Sequence, residues 1–203
     1  MATVIDASSG SEKARSTRAA LIRSACDAFV QDGYGAVSVR DLARRTKLTS
    51  GAIYGHFRNK ADLLAAAVGE KLVTDLEAPA RSKDKRLAAY LAAQARDYRA
   101  RASLRALIIE GAAAARVDAD VKEKLRALQN AKLDEWRAIY REVQRTQNLD
   151  PDADMDTLVA FLWAAEVGLG VLEALDAPLP KPSAWSRMIE RVVRSVTTRP
   201  EPS

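Results

Sequence analysis

The sequence predicts an all-α protein, and three observations support that class. Hydrophobic residues make up 48% of the chain and charged residues 29%, a balance typical of a globular protein rather than a disordered one. Ala and Leu dominate the apolar residues, whereas strands favour β-branched residues. Apolar side chains also recur at helical spacing between Pro and Gly breakers. We expect about nine helices, three before about residue 60 and six after it.

The first amphipathic helix is predicted to begin with Ser16 or Thr17 as its N-cap and to end at a Gly33 cap. Its apolar face comprises Ile22, Ala25, Cys26, Phe29 and Val30. Residues 1–15 are expected to form a flexible basic arm. Lys13, Arg15 and Arg18 would extend it toward a neighbouring groove of a nucleic acid, and a simple disordered tail is the alternative.

Two short helices follow the first one. Ser38 is placed to cap a helix over Val39–Arg45, and Thr49 or Ser50 begins a third helix that ends near His56. Helices this short are unstable alone, so their apolar residues must share one core. That predicted core consists of Ile22, Phe29, Leu42, Ala43, Leu48 and Ile53. Two short helices joined by a tight turn predict a helix-turn-helix over residues 16–60.

Positive charge is concentrated in the same segment. Residues 11–60 contain ten Lys or Arg and four Asp or Glu, whereas residues 61–203 contain 22 of each sign. A localised basic surface is typical of nucleic-acid binding, because it replaces the counterions of phosphates. A solvated surface without a partner is the alternative.

Beyond residue 60 the pattern predicts six longer helices that form a second domain, 61–203. Their expected spans are 60–77, 84–100, 103–115, 119–146, 154–175 and 183–197. The breakers that divide them are Pro79, Gly111, Asp150-Pro151 and the proline-rich stretch 177–182.

The segment Ser38 to Leu64, above all Gly51-Ala-Ile-Tyr-Gly-His-Phe-Arg-Asn-Lys60, resembles the TetR family of transcriptional regulators. The resemblance implies a recognition helix over Thr49–His56 in the major groove of double-stranded DNA. It places one set of residues near base edges or at the start of the preceding helix, namely Ser38, Arg40, Thr49, Ser50 and Ala52. It places another set on the phosphate backbone, namely Tyr54, His56 and Lys60. The alternative is that Tyr54 is partly core and His56 only caps its helix.

Lys47 departs from the family's pattern, which usually has glycine in this turn. Left-handed backbone there would strain a lysine by about 1 kcal/mol.

The helix over 154–175 is apolar around most of its circumference, which is typical of a helix covered on both sides. The resemblance implies a homodimer formed by the last two long helices, with the two recognition helices about 34–36 Å apart on a palindromic operator. The candidate dimer residues are Leu162, Val167, Gly168, Val171, Leu175, Trp185, Met188 and Val192. An unusually apolar helix inside one subunit is the alternative.

The resemblance also implies a pocket for a small effector in the larger domain, and an aromatic lining predicts a hydrophobic molecule. The candidate lining residues are Tyr98, Ile108, Trp136, Tyr140, Phe161 and Trp163. Ordinary core packing is the alternative for each. Arg105 and Glu110 are candidates for a polar end of the pocket, although solvation is the simpler expectation for both.

Other classes of function find little support in the sequence. One Cys and one His leave no set with metal-ligand spacing, and no P-loop, dinucleotide fingerprint or catalytic triad is recognisable, so we expect no metal, no cofactor and no enzyme. Cys26 on the apolar face is expected to be inert core, with a redox sensor as the alternative.

The longest uncharged apolar run, Leu158–Ala165, is too short to cross a bilayer, so a cytoplasmic location is expected. Two rivals remain open: a protein that coats DNA without sequence preference, and a helical carrier or enzyme with a vestigial motif.

Overall fold

The computed structural model describes residues 5–80, 87–146 and 149–197, and every regular element within these stretches is helical. Nine α-helices are present there. They are α1 (Ile5–Asp32), α2 (Val39–Thr46), α3 (Ser50–Tyr54), α4 (Lys60–Ala80), α5 (Leu87–Arg96), α6 (Ala102–Ala115), α7 (Ala119–Thr146), α8 (Met155–Ala174) and α9 (Pro182–Thr197). A 3₁₀ turn over Tyr98–Arg101 precedes α6. The prediction of an all-α chain with about nine helices is confirmed.

Helix α1 begins eleven or more residues earlier than the sequence predicted. It starts at Ile5, so Ser16 and Thr17 lie inside the helix and do not cap it, and the described part of the expected arm is helical. Good helix formers at Glu12–Arg15 continue the helix past the two hydroxyl residues. Arg18 turns its guanidinium over the Phe57 ring, 5.1 Å from the ring centroid, and therefore packs against its own domain. The end of α1 was predicted correctly, because Gly33 follows it with a φ of +79°.

The described residues divide into two compact units. One contains the chain up to Lys71 together with Glu110–Leu125, and the other contains Leu72–Ile109 and the chain from Arg126. Helices α4, α6 and α7 thus contribute residues to both units. The sequence did not predict that residues 110–125 would group with the N-terminal helices.

The core of the N-terminal unit lies among α1, α2 and α3. Leu21, Phe29, Leu42 and Ile53 are almost completely buried, and Leu64 of α4 joins them. Of the predicted core residues, only Leu48 is half-buried rather than buried. Burial of this shared face is what stabilises α2 and α3, which are too short to persist alone.

Gly111 lies inside α6 and does not end a helix. A Cβ at this position would lie 2.7 Å from Leu125 Cδ1, so the glycine lets α6 approach the start of α7. Close approach of backbones is a second use of glycine besides helix termination.

The core of the second unit joins α5 to α9. Its buried cluster consists of Leu87, Leu91, Ala95, Tyr140, Leu158, Ile189 and Val193. Two polar contacts fix the same packing: Ser186 Oγ donates to Ala92 O at 2.7 Å, and Tyr98 Oη donates to Pro180 O at 2.8 Å. The Pro-rich stretch before α9 is thereby held against the chain that precedes α6.

Candidate nucleic-acid interface

Helix α2 begins in a capping box formed by Ser38 and Asp41. Ser38 Oγ accepts a hydrogen bond from Asp41 N at 3.2 Å, and Asp41 Oδ2 accepts one from Ser38 N at 3.0 Å. The bonds from Ser38, with a further one from Arg44, lower the pKa of Asp41 to about 2. Ser38 Oγ also donates to the same carboxylate, so its hydroxyl is engaged within the box.

The turn between α2 and α3 is left-handed at Lys47, although the sequence indicated that this conformation would strain a lysine. Its φ is 56° and its ψ is 33°. Leu48 N donates to Ala43 O at 3.0 Å and Lys47 N donates to Arg44 O at 3.4 Å, the bonding pattern of a Schellman cap. Lysine thus occupies a conformation that glycine would adopt without strain.

Helix α3 is short, and its exposed side carries most of the predicted base-reading residues. Thr49 is its N-cap, with Oγ1 accepting from Ala52 N at 3.1 Å, and Ile53 anchors the opposite side in the core. Thr49 is exposed, whereas Ser50, Ala52 and His56 are half-buried. Tyr54 is 54% exposed, so about half of its side chain is available to a partner and the other half packs against the domain.

A shallow open groove runs along α2 and the turn that precedes α3. Its lining residues are Ser38, Arg40, Asp41, Ala43, Arg44, Lys47, Leu48 and Ser50. Three of these side chains are cationic and one, Asp41, is a carboxylate. Arg44 is already paired with Asp41. Arg40 and Lys47 are therefore the cations of this groove best placed to meet an anionic partner. An exposed pair of this kind is worth little stability, which leaves Arg44 free to exchange partners.

Lys60 is held inside the N-terminal unit. Its Nζ donates to Tyr34 O at 2.7 Å and to Val37 O at 3.0 Å, and it lies 4.1 Å from the centroid of the Tyr34 ring. Burial lowers the pKa of Lys60. Two of its three N–H donors are thus used within the protein, and a contact with phosphate rests on the third.

Residues far along the chain also shape this unit, and no local sequence signal could have identified them. Glu110 Oε2 accepts from Tyr34 N at 2.7 Å, and Asp120 Oδ2 accepts from Asn59 Nδ2 at 2.7 Å. Lys124 Nζ lies 2.6 Å from Asp62 Oδ1. The expectation that Glu110 is simply solvated is therefore wrong, because its half-buried carboxylate binds the backbone of Tyr34.

The predicted effector residues differ in their burial and packing. Trp136 and Tyr140 stack with their ring centroids 5.5 Å apart, and both belong to the core cluster of the second unit or its edge. Tyr98 is completely buried, Ile108 and Trp163 are half-buried, and Phe161 is exposed. For Trp136 and Tyr140 the structure thus favours core packing, the alternative that the sequence left open.

Arg105 was expected to be solvated, and the structure contradicts this. Its side chain is 0% exposed and donates to Glu166, Glu173 and the carbonyl of Tyr98. Arg101 binds the other side of Glu166, with Nη2 3.0 Å from Oε2. Two arginines and two glutamates thus form a charge-balanced cluster around the buried Arg105, between α8 and the start of α6 with the 3₁₀ turn before it, and this cluster engages the Arg105 guanidinium fully.

Part of the predicted dimer face is uncovered in the single chain. Val171, Leu175 and Met188 are exposed, and nothing lies within 4 Å of a Cβ built on Gly168. Val167 and Val192 are half-buried. Leu162 and Trp185 instead pack against the core cluster of their own chain.

Helix α8 is also the one described helix whose length and composition would allow it to cross a membrane. It has 20 residues and a mean hydropathy of 1.6, and only a small part of it is buried in the chain. The sequence did not predict this property of α8, because only the uncharged run Leu158–Ala165 was counted and Glu166 ends that run.

The geometry of α2, the turn and α3 defines a helix-turn-helix DNA-binding domain. Residues 21–67 match the family described as "Bacterial regulatory proteins, tetR family". Over 55 residues the chain is 44% identical to the HTH-type transcriptional regulator TtgR of Pseudomonas putida, a match that covers 27% of this chain and 26% of TtgR. The chain spans about a third or less of the length of the curated relatives it matches.

Solved structures extend the likeness to the whole fold. A TetR transcriptional regulator from Chloroflexus aurantiacus has a TM-score of 0.70 and 23% identity, over 93% of this chain and 100% of that one. A transcriptional regulator from Saccharomonospora viridis, solved in complex with choline, has a TM-score of 0.68 and 15% identity, over 92% of this chain and 100% of that one. Residues 21–67 therefore match the TetR family, as the sequence predicted, and over the rest of the chain the likeness to these regulators is one of fold.

Proposed function

We propose that the chain is a transcriptional repressor that binds a palindromic operator as a homodimer and is released by a small hydrophobic effector. The proposal rests above all on the exposed side of α2 and α3, within the segment that matches the TetR family. Arg40, Thr49 and Tyr54 stand on that side, opposite the buried Leu42 and Ile53.

The recognition contacts follow from the chemistry of these side chains. Arg40, exposed near the start of α2, presents a fork of donors that suits O6 and N7 of guanine. The methyl group of Ala52 suits the methyl of thymine. The hydroxyls of Thr49 and Ser50 can donate to or accept from base edges. Tyr54, His56 and the third donor of Lys60 serve the phosphates, which set the register of the domain. Ser38 acts mainly as the cap of α2.

Dimerisation through α8 and α9 accounts for the exposed apolar residues of these helices. Leu175 is 71% exposed and Met188 56% exposed in the single chain. Several exposed apolar residues on two neighbouring elements favour a protein partner, and a second copy of the same face would close with twofold symmetry. Helix α8 also carries two charged residues, Glu166 and Glu173, which pair with Arg105 of α6. A membrane partner is therefore not proposed, and the location proposed is cytoplasmic.

Release by an effector would be a population shift. A molecule bound in the larger domain stabilises a dimer whose recognition helices are mis-spaced for the operator, so repression is relieved. The path of coupling proposed is α4, which begins directly after the DNA-binding segment. The choline complex of the Saccharomonospora regulator supports a small-molecule site in proteins of this fold. Operator affinity that stays constant across a broad screen of small effectors would contradict this part.

The test is selection of bound fragments from random and genomic DNA by the purified chain at near-physiological salt. We expect an enriched palindrome, and Arg40→Ala is expected to relax the preference at one base pair of each half-site by about 1–3 kcal/mol. Arg141→Ala, which removes the same side chain from an exposed position of α7 far from the helix-turn-helix in the sequence, is the matched control and is expected to leave the recovered sequence unchanged.

The two rivals predict other results. A DNA-coating protein would bind random and selected duplexes equally and lose affinity steeply with salt. A helical carrier or enzyme would enrich no sequence, and Arg40→Ala would have no effect on it.

A further inference from the structure

The turn between α1 and α2 is held at Tyr34, whose backbone N–H and backbone C=O both form hydrogen bonds with side chains. Glu110 Oε2, 76 residues away on α6, accepts from Tyr34 N at 2.7 Å. Lys60 Nζ donates to Tyr34 O at 2.7 Å and to Val37 O at 3.0 Å. A buried backbone amide needs a partner, and a carboxylate is a stronger acceptor than a neutral oxygen.

The contact is closely fitted. Glu110 Oε2 lies 3.3 Å from the place where a Cβ on Gly33 would stand, and Gly33 has a φ of +79°. The Tyr34 ring is buried and lies 5.4 Å from the ring of Phe29, centroid to centroid. A Cβ at position 33 would force the carboxylate to shift by a few tenths of an ångström, so glycine favours the close approach of Glu110 to the Tyr34 amide.

We propose that Glu110 is a positioning residue for DNA binding. It fixes Tyr34, and Tyr34 lies four residues before Ser38, the cap from which α2 and Arg40 extend. Glu110 lies outside the matched segment 21–67 and acts through the turn, not through DNA. The inference rests on the proposed function, because it assigns the residue a part in operator recognition.

Two further contacts of the same segment support this assignment. Asp120 Oδ2 accepts from Asn59 Nδ2 at 2.7 Å, and Lys124 Nζ lies 2.6 Å from Asp62 Oδ1. These contacts hold the start of α4, which carries Lys60, the second residue bound to Tyr34. Residues 110–125 thus fix the turn from two directions, directly through Glu110 and indirectly through the position of Lys60.

Removal of the Glu110 carboxylate has opposite expected effects on DNA affinity, according to whether its charge or its contact with Tyr34 matters more. A carboxylate is repelled by phosphates, so its removal should by electrostatics alone strengthen DNA binding. Removal of a positioning contact should weaken binding to the preferred sequence. Glu110→Ala and Glu110→Gln both remove one negative charge, but only Gln keeps an oxygen that can accept from Tyr34 N.

The test measures affinity for the duplex selected by the wild-type chain and for a scrambled duplex, at one salt concentration. Glu110→Ala is expected to bind the selected duplex about tenfold more weakly, with the scrambled duplex changed by less than about twofold. Glu110→Gln is expected to stay within about twofold of wild type on both. Glu123→Gln, an exposed charge removal on α7, is the matched control and should behave like wild type or bind both duplexes slightly more tightly.

The inference is overturned if Glu110→Ala binds the selected duplex as tightly as wild type, or if Glu110→Gln is as weak as Glu110→Ala. Far-ultraviolet circular dichroism checks folding. If the alanine variant does not fold, Glu110→Asp replaces it, because Asp keeps the charge but is one methylene too short, and it is expected to lose affinity for the selected duplex. If wild type itself prefers no duplex, the proposed function fails, and slower hydrogen exchange of the Tyr34 amide in wild type than in Glu110→Asp still tests the contact.

Discussion

Arg105 donates from Nε to Glu173 Oε2 at 2.7 Å, and a second bond joins its Nη2 to the other oxygen of the same carboxylate. The two helices that carry this pair approach closely, since a Cβ on Gly170 of α8 would lie 2.9 Å from Arg105 Cβ. Glu166 lies seven residues before Glu173, about two turns away on the same side of α8, and binds the guanidinium at 2.7 Å. The cluster therefore fixes the register of α8, the helix proposed for dimerisation, relative to α6.

Loss of this arginine should destabilise the chain strongly. Arg105→Met leaves two carboxylates in a confined space without their shared partner, and breaking a buried pair costs about 3–5 kcal/mol. Urea denaturation measures the change in the free energy of unfolding. Arg194→Met is the control, because its pair with Glu190 is exposed and should contribute about 0–1 kcal/mol. Equal losses for the two variants would contradict the structural role of the cluster.

Relief of strain at Lys47 should stabilise the helix-turn-helix. Lys47→Gly places an unstrained residue in the left-handed turn, whereas Lys47→Ala removes the same charge and keeps the strain. We expect the glycine variant to be more stable than the alanine variant by about 1 kcal/mol, measured by the urea midpoint at constant slope. An alanine variant of equal or greater stability would show that the turn is not left-handed in solution.

Cys26 should be unreactive in the folded chain. Burial raises the pKa of the Cys26 thiol to about 11, and its Sγ lies 3.8 Å from Ala67 O in the core of the N-terminal unit. Only the thiolate attacks alkylating reagents, so iodoacetamide near pH 8 should label the native chain slowly and the urea-unfolded chain rapidly. Rapid labelling of the native chain would revive the redox-sensor alternative.

A charge on the uncovered face of α8 should prevent dimerisation. Leu175→Lys places an ammonium group in the proposed interface, and burying it unpaired costs several kcal/mol. Sedimentation velocity at micromolar concentration should show a dimer for wild type and a monomer for this variant. Val117→Lys is the matched control, since Val117 is 91% exposed and lies outside α8 and α9. A Leu175→Lys dimer would place the interface elsewhere.

The sequence predicted the elements whose signals are local. The caps Ser38 and Thr49 and the glycine that ends α1 each depend on residues within one turn of themselves. The start of α1 was predicted wrongly for a related reason, because Ser16 is a strong cap only where the preceding residues do not continue the helix.

Contacts between distant residues could not be predicted in this way. Glu110 and Tyr34 are 76 residues apart, and Arg105 and Glu173 are 68 apart. An isolated arginine in a sequence is expected to be exposed, because its burial is favourable only with partners that the fold brings to it. Aromatic spacing likewise could not separate a pocket from a core, and the stacked Trp136 and Tyr140 proved to pack with the core cluster.

The central claim is sequence-specific binding by a dimer, and the most direct measurement is the ratio of dissociation constants for the selected duplex and a scrambled one at near-physiological salt. We predict a ratio of about 10³ or more, with a large loss when one half-site is scrambled. A ratio near one, at any affinity, would contradict the account.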